Sequence, residues 1–255
     1  MNAGRPKALL ELSPSSADRR RSVLDGRKRW LAGLLGLALT ALAVGSAEAQ
    51  PSDNPPSSLD CVAPEPGTYE LHRIMRAPDG AVLNVDGRVE QLSQFTRGRI
   101  TLLGFIYTSC TDPEGCPMAY RVFDQLKSEI QATKALEGKV QLVTLSFDPA
   151  RDSPSVMKRY ASSHVEDESG LRWFFLTPRS VQDLLPLVEG FGQDVRYAIN
   201  RSTGKPVREL SHVLKVFLLD GSGYIREIYT SMFLHPGCIM SDIRTLLMEA
   251  NPSAH

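Results

Sequence analysis

Two cysteines, Cys110 and Cys116, are the residues of this chain whose type and spacing point most directly to chemistry. They follow the apolar run at 100–107 and enclose the turn-forming sequence TDPEG. A β-favouring run of that kind predicts a buried strand. Pro117 then suits the first turn of a helix, because its fixed φ matches the helix and an N–H there would be unpaired anyway. The pattern predicts a dithiol loop between a buried strand and a helix N-terminus.

A dithiol in this position can do either of two kinds of chemistry. The free N–H groups and the dipole at a helix N-terminus favour the thiolate, which is the form that binds soft metals and attacks disulfides. A purely structural disulfide between Cys110 and Cys116 is the alternative, although few such staples lie between a buried strand and a helix start. The residues by themselves leave metal binding, thiol–disulfide exchange and a staple open.

The elements that must position the dithiol alternate along the chain. The predicted core strands are 100–107, 140–147, 171–176, 197–199, 212–219 and 224–230, and the predicted helices are 118–136, 154–164, 180–191 (interrupted by Pro186) and 239–249. Asp86-Gly87 and the turn at 220–223 are typical of β-hairpins, and a polar loop is expected at 200–209. This order predicts an α/β fold, a thioredoxin-like sandwich with an N-terminal hairpin and a late β-hairpin.

His212 stands at the start of the predicted late hairpin. In a thioredoxin-like arrangement that hairpin lies beside the strand that carries the dithiol, so His212 could reach the sulfur atoms. Two thiolates and an imidazole suit Cu(I) and tolerate Cu(II). From the residues alone, however, a polar side chain at a strand entrance is the favoured interpretation of His212.

The first 49 residues are typical of an export signal rather than of the fold. Basic residues precede an uncharged run at 30–47, and Ala47-Glu48-Ala49 resembles a cleavage site. The alternative is that the run is retained as a membrane anchor. We expect a linker and N-terminal extension at 50–80 and a thioredoxin-like domain at 81–250. The expected location is the periplasm, either free or anchored to the outer face of the inner membrane.

The charge and the cysteines of the exported part restrict its partners further. After residue 49 the chain has 21 Lys and Arg against 25 Asp and Glu, which argues against a nucleic-acid partner. All four cysteines lie in this part, where disulfides persist. The economical pairing joins Cys110 to Cys116 and Cys61 to Cys238. The alternative for Cys238 is a second soft metal site with His235 and Met240.

Four ordered segments of the chain resemble the SCO/SenC family of thioredoxin-like copper chaperones. They are FIYTSC at 105–110 with Cys116-Pro117, SFDPARDSP at 146–154, Leu176-Thr177, and Ser211-His212 with the following strand to Asp220-Gly221. The resemblance covers residues 81–230, which is most of the exported part. Four blocks in the family's order make it a specific match.

The resemblance implies an exported copper-binding protein that assists assembly of the dinuclear copper site of cytochrome c oxidase. It implies that Cys110, Cys116 and His212 are the copper ligands, for Cu(I) or Cu(II). It places Asp148 near the site, and we expect Arg151 and Asp152 to fix the loop and the following helix start. The implied partners are the copper-receiving subunit of the oxidase, or another exported copper enzyme, and a thiol reductant.

The cysteine spacing departs from the family pattern. The family has three residues between the two cysteines, whereas five separate Cys110 from Cys116, including Asp112 and Glu114. This variant loop keeps a second function open, a thiol–disulfide oxidoreductase that uses the same two cysteines. The two functions differ in His212, which a copper ligand set requires and a simple dithiol does not.

Overall fold

The computed structural model describes residues 61–165, 171–199 and 206–250 of the chain. Ten strands and four α-helices lie in these ranges. The strands are β1 Met75–Arg76, β2 Ala81–Leu83, β3 Val89–Gln91, β4 Ile100–Ile106, β5 Val140–Ser146, β6 Arg172–Pro178, β7 Val195–Ile199, β8 Pro206–His212, β9 Lys215–Leu219 and β10 Tyr224–Thr230. The helices are α1 Cys116–Ala132, α2 Pro154–Ala161, α3 Val181–Gly190 and α4 Pro236–Ala250. The predicted α/β alternation is confirmed.

An eight-stranded sheet in the order β1-β10-β9-β4-β5-β6-β2-β3 forms the centre of the fold. Strands β4, β5 and β6 are parallel, and β9 runs antiparallel to β4 on the other side. Every residue of β4 and β5 is buried, because both faces of these strands are covered. Parallel strands present their carboxyl ends at one edge, and the dithiol loop leaves β4 there.

Helix α1 turns an apolar stripe towards this sheet. Its buried residues include Val122, Phe123, Leu126 and Ile130, at the spacing expected of one helix face. The sequence predicted the helix from residue 118, whereas α1 begins at Cys116, so the second cysteine is already part of the first turn. The helix therefore fixes the backbone of that cysteine directly.

Two predicted hairpins are confirmed. Strands β2 and β3 pair across a turn in which Gly87 has a φ of 78°, and β9 and β10 pair across a turn in which Gly223 has a φ of 81°. Residues with a side chain are strained at such positive φ values, which explains glycine at both positions. In the second turn Asp220 Oδ1 accepts the backbone N–H groups of Ser222 and Tyr224, at 2.9 and 3.0 Å.

The chain before this second hairpin differs from the prediction. The sequence indicated a loop at 200–209 and a single strand at 212–219, but β8 ends at His212 and a separate strand, β9, begins at Lys215. Strand β8 pairs with β7 in a two-stranded sheet of its own. The polar composition of 206–211 resembles a loop, and its pairing with β7 is a non-local contact that local composition does not show.

The segment 61–76 lies against α4 and β10. The Gly67 amide donates to Thr245 Oγ1 at 3.0 Å, and the Tyr69 hydroxyl donates to Asp242 Oδ1 at 2.6 Å. Strand β1 then adds to the edge of the sheet by pairing with β10. A disulfide between Cys61 and Cys238 closes the arrangement, with the Cα atoms 6.3 Å apart. The expected Cys61–Cys238 pairing is therefore present.

The export signal predicted for residues 1–49 lies outside the described residues. In the described ranges, no helix combines the length and the apolar character that crossing a bilayer requires. The signal and its cleavage stay predictions.

We predict that loss of the Cys61–Cys238 bond destabilises the fold. The bond closes a loop of 177 residues, so replacing either cysteine by serine should lower the free energy of unfolding by about 2–4 kcal/mol. Urea unfolding of Cys61→Ser, Cys238→Ser and the double variant measures the change. Because each variant removes the same bond, the double variant should lose little more than either single one. Equal stability of the oxidised protein and all three variants would contradict the prediction.

Candidate metal centre

The two cysteines of the predicted dithiol are not in a disulfide, and their thiols contact each other. Cys110 follows a turn in which its amide donates to the Tyr107 carbonyl at 3.1 Å, and Cys116 is the first residue of α1. The two thiols are hydrogen-bonded to each other. Cys110 is half-buried, whereas Cys116 is only 1% exposed. The expected Cys110–Cys116 disulfide is absent from this structure, in which both cysteines are thiols.

The five residues between the cysteines form a compact turn. Asp112 Oδ1 accepts the Glu114 amide at 3.0 Å, and the Asp112 carbonyl accepts the Gly115 amide at 3.0 Å. Gly115 caps α1, since its carbonyl accepts the amides of Met118 and Ala119. The long loop is therefore folded on itself, and the Asp112 carboxylate serves the turn.

The ionisation of Cys116 differs from the sequence-based expectation. The helix N-terminus was expected to favour the thiolate, but burial raises the pKa of the Cys116 thiol well above its ordinary range, and the nearby Cys110 raises it further. A hydrogen bond from the Tyr107 backbone amide opposes this rise and is outweighed. Cys116 is thus a neutral thiol in the metal-free protein, and a metal must displace its proton.

The carboxylate of Asp152 holds the first part of the dithiol loop in place. Asp152 is 1% exposed, and its Oδ2 accepts the Thr108 amide at 3.0 Å and the Ser146 hydroxyl at 2.6 Å. Its Oδ1 accepts the Thr108 hydroxyl at 2.6 Å. The end of β5 and the chain leaving β4 are thereby joined through one side chain. This agrees with the structural role expected for Asp152.

Asp148 and Arg151 form an ion pair in the same loop. Asp148 is 5% exposed, and its Oδ2 accepts from the Arg151 guanidinium at 2.6 Å. The backbone of the loop closes on Asp148 as well, because its carbonyl accepts the amides of Arg151 and Asp152. Asp148 therefore shapes the loop after β5, whereas the contact with the dithiol segment comes from Asp152.

A groove of about 300 Å³ opens beside the two sulfur atoms. Its lining residues are Tyr107, Thr108, Cys110, Cys116, Pro117, Tyr120, Arg121 and Tyr160. The rings of Tyr120 and Tyr160 meet edge to face with their centroids 5.2 Å apart. Burial raises the pKa of both phenols, so they stay neutral. The groove offers an uncharged aromatic wall to whatever approaches the thiols.

Sequence reasoning missed these two tyrosines. Tyr120 lies four residues after Cys116 in α1, and that spacing places both on one helix face, so the signal was available. Tyr160 belongs to α2, and no local pattern connects it with the dithiol. Its approach to the site depends on how α2 packs over β6.

The backbone of His212 is at the same end of the sheet as the dithiol. His212 is the last residue of β8 and pairs with Val195 of β7. Three residues later β9 begins, antiparallel to β4, with Val216 opposite Gly104. Going back along β9 towards His212 therefore leads to the carboxyl end of β4, where the dithiol loop starts.

The side chain of His212 lies outside the described residues. Within the part of the chain whose side chains are described, no three His, Cys, Asp or Glu residues are grouped closely enough to hold a metal. The two adjacent thiols provide the soft donors that Cu(I) prefers, so the donor chemistry fits that ion. The alternative soft site at Cys238 does not fit, because its sulfur is in the disulfide with Cys61.

Comparison with known proteins agrees with the sequence resemblance. The sequence model of the SCO1/SenC family matches residues 81–248. No curated protein matches the chain. The fold resembles ScoI of Arabidopsis thaliana solved with copper bound, at 17% identity and a TM-score of 0.53, covering 68% of this chain and 98% of that one.

Two further solved structures share the fold. One is a SCO1/SenC family lipoprotein of Bacillus anthracis str. Ames, at 22% identity and a TM-score of 0.55, covering 68% of this chain and 95% of that one. The other is BsSco, described as a member of the Sco family of cytochrome c oxidase assembly proteins in which a disulfide switch was identified. It is 21% identical with a TM-score of 0.52, covering 70% of this chain and 98% of that one.

We predict that Asp152→Asn weakens the junction between β5 and the dithiol loop. The substitution removes the carboxylate charge on which three donors converge. Its NH₂ group must then face either the Thr108 hydroxyl, which has to reverse its role, or the Thr108 backbone N–H, which cannot. The free energy of unfolding should fall by about 1–3 kcal/mol. Urea unfolding measures it, with Asp86→Asn as the control, because Asp86 is half exposed and its ion pair with Lys158 should contribute less than about 1 kcal/mol. Equal effects of the two substitutions would contradict the prediction.

We also predict that the two thiols react in sequence. Burial keeps reagents from Cys116 and raises its pKa, so limited iodoacetamide at neutral pH should modify Cys110 first. Peptide mass spectrometry of the reduced, metal-free protein gives the order of modification. Alkylation of a Cys110→Ser variant should be slow at neutral pH and should accelerate on going to strongly alkaline pH. Preferential modification of Cys116 would be the opposite result.

Proposed function

The chain belongs to the SCO1/SenC family, and from that membership we propose that it is an exported copper chaperone that assists assembly of the dinuclear copper site of cytochrome c oxidase. Copper is its cargo, held by the thiolates of Cys110 and Cys116 and the imidazole of His212. The observation that carries the proposal is the contact between two thiols, neither of them in a disulfide, at the junction of β4 and α1. The copper bound to ScoI of Arabidopsis thaliana supports the choice of metal.

The two thiols differ in ways that suit holding and handing over an ion. Cys116 is buried and fixed by the first turn of α1, whereas Cys110 lies beside the groove and is half-buried. Cu(I) entry displaces the proton of Cys116 to solvent, and thiolate coordination then offsets the cost of burying charge. A partner's ligands would approach from the Cys110 side, where the site is accessible.

The aromatic wall of the groove supports the same role. Tyr120 and Tyr160 are neutral and present aromatic surface to the groove beside the sulfur atoms. A low-polarity surrounding strengthens the bonds between a soft cation and thiolates by limiting competition from water. Imidazole from His212 would complete a three-coordinate set that Cu(I) accepts and Cu(II) tolerates.

The location and partners follow from the same proposal. An export signal at 1–49 would bring the domain to the periplasm, either free or anchored to the outer face of the inner membrane. There it would meet the copper-receiving subunit of cytochrome c oxidase or another exported copper enzyme. A thiol reductant would keep Cys110 and Cys116 reduced before copper enters, because a disulfide cannot coordinate the ion.

A second candidate function is thiol–disulfide oxidoreduction by the same pair. It is favoured by the direct contact between the thiols, which is the arrangement from which an intramolecular disulfide forms. The disulfide switch described for BsSco points in that direction. This function would use Cys110 as the attacking thiol and Cys116 as the resolving one, and it would not need His212.

We predict one tight equivalent of Cu(I) per reduced protein, measured in competition with a chromogenic chelator. Cys110→Ser and Cys116→Ser should each abolish tight binding, and His212→Ala should raise the dissociation constant by about 10-fold or more. His72→Ala is the matched control, because the His72 side chain is 85% exposed and should leave binding unchanged.

Two results would contradict these binding predictions. If the reduced protein binds no tight Cu(I) while Cys110 and Cys116 still form a reversible disulfide, the oxidoreductase replaces the chaperone. If His212→Ala and His72→Ala both leave the dissociation constant unchanged, His212 is not a ligand.

A further inference from the structure

The C-terminal end of α3 is joined to the chain around His212. Helix α3 ends in a turn where the Gly192 amide donates to the Glu189 carbonyl and the Gln193 amide donates to the Val188 carbonyl, at 3.0 and 2.7 Å. This is a Schellman motif, and the φ of 61° at Gly192 is the left-handed conformation it requires. The motif fixes the backbone of Gln193 relative to α3, whose Leu184, Leu187 and Val188 are buried.

The side chain of Gln193 then crosses to the link between β8 and β9, directly after His212. It is 5% exposed, and its Nε2 donates to the Val213 carbonyl at 2.9 Å and to the Asp194 carbonyl at 3.3 Å. Since only the nitrogen of the amide can donate, two carbonyl partners fix which end of the group faces them. Val213 directly follows His212, so the backbone of the proposed ligand is held from its C-terminal side.

Two other contacts restrain the same piece of chain. His212 pairs with Val195, two residues after Gln193, and the Lys215 ammonium donates to the Gly192 carbonyl. Residues 192–195 and 212–215 are therefore connected at three points. Of the three contacts, the one through Gln193 is made by a buried side chain, and it holds the residue directly after His212.

The oxygen of the Gln193 side-chain amide has no hydrogen-bond donor among the described residues. This oxygen, Oε1, is buried. An unpaired buried acceptor is unfavourable, and the two hydrogen bonds donated by Nε2 do not account for it. A metal-ligating histidine, on the other hand, commonly donates its second ring N–H to an oxygen of this type.

We propose that Gln193 is a positioning residue for the copper ligand His212. It holds the Val213 carbonyl through Nε2 and keeps Oε1 as an acceptor available to the ligand. The inference rests on the proposed function, in which His212 binds copper. Replacing a residue that contacts a metal ligand commonly changes metal affinity by about 10–100-fold.

The test is a double-mutant cycle on Cu(I) affinity. Gln193→Leu should raise the Cu(I) dissociation constant by about 10-fold in the otherwise unchanged protein. In the His212→Ala background the same substitution should have no further effect, because the ligand that it positions is gone. Gln182→Leu is the matched control, since Gln182 is an exposed residue of α3. Urea unfolding establishes that each variant is folded.

A spectrum separates positioning from a general loss of stability. In the Cu(II)-loaded protein, Gln193→Leu should change the nitrogen hyperfine coupling seen by electron paramagnetic resonance and leave two thiolate ligands bound. Gln182→Leu should leave the spectrum unchanged. Equal losses of affinity from Gln193→Leu with and without His212, or an unchanged spectrum, would overturn the inference.

The Cu(I) affinities of the variants also distinguish a failure of the proposed function from a failure of the inference about Gln193. If His212→Ala itself has no effect on Cu(I) affinity, the ligand assignment is wrong, and the inference about Gln193 is overturned with it. If His212→Ala weakens binding and Gln193→Leu does not, the ligand assignment stands and only the positioning role of Gln193 is overturned.

Discussion

The buried carboxylate of Asp152 is the interaction on which the dithiol site depends. It accepts from Thr108 at the start of the loop that carries Cys110 and from Ser146 at the end of β5. Parallel pairing of β4 and β5 brings these two strand ends to the same edge of the sheet, but pairing alone does not fix the loops beyond them. A charged acceptor with three donors does so, because each of its hydrogen bonds is stronger than a neutral one.

The site combines a rigid inner sulfur with an accessible outer one. Cys116 is held by α1 and kept neutral by burial, while Cys110 follows a turn whose position depends on Asp152. The extra residues between the cysteines do not loosen this arrangement, because Asp112 closes them into a turn that caps the helix. The longer loop therefore separates the cysteines in sequence while their thiols stay in contact.

The N-terminal segment of the domain supports the sheet from the side of β10. The segment 61–76 is fastened to α4 by Tyr69 and by the Cys61–Cys238 disulfide, and it extends the sheet by one strand beside β10. Strand β10 in turn pairs with β9, which lies next to β4. Residues far from the dithiol in sequence thus stabilise the strands that lead to Cys110 and away from His212.

The sequence by itself determined the α/β class, the strand–dithiol–helix unit and both hairpins. These features are local, since apolar runs, Pro117 and the hairpin glycines act on their immediate neighbours. The motif around Asp152 also indicated a structural role. The tertiary structure decided what depends on distant contacts: the burial that keeps Cys116 protonated, the pairing of β8 with β7 that ends a strand at His212, and the aromatic wall from Tyr160. Local sequence patterns do not reveal those contacts, because the contact energies arise only when separate segments pack together.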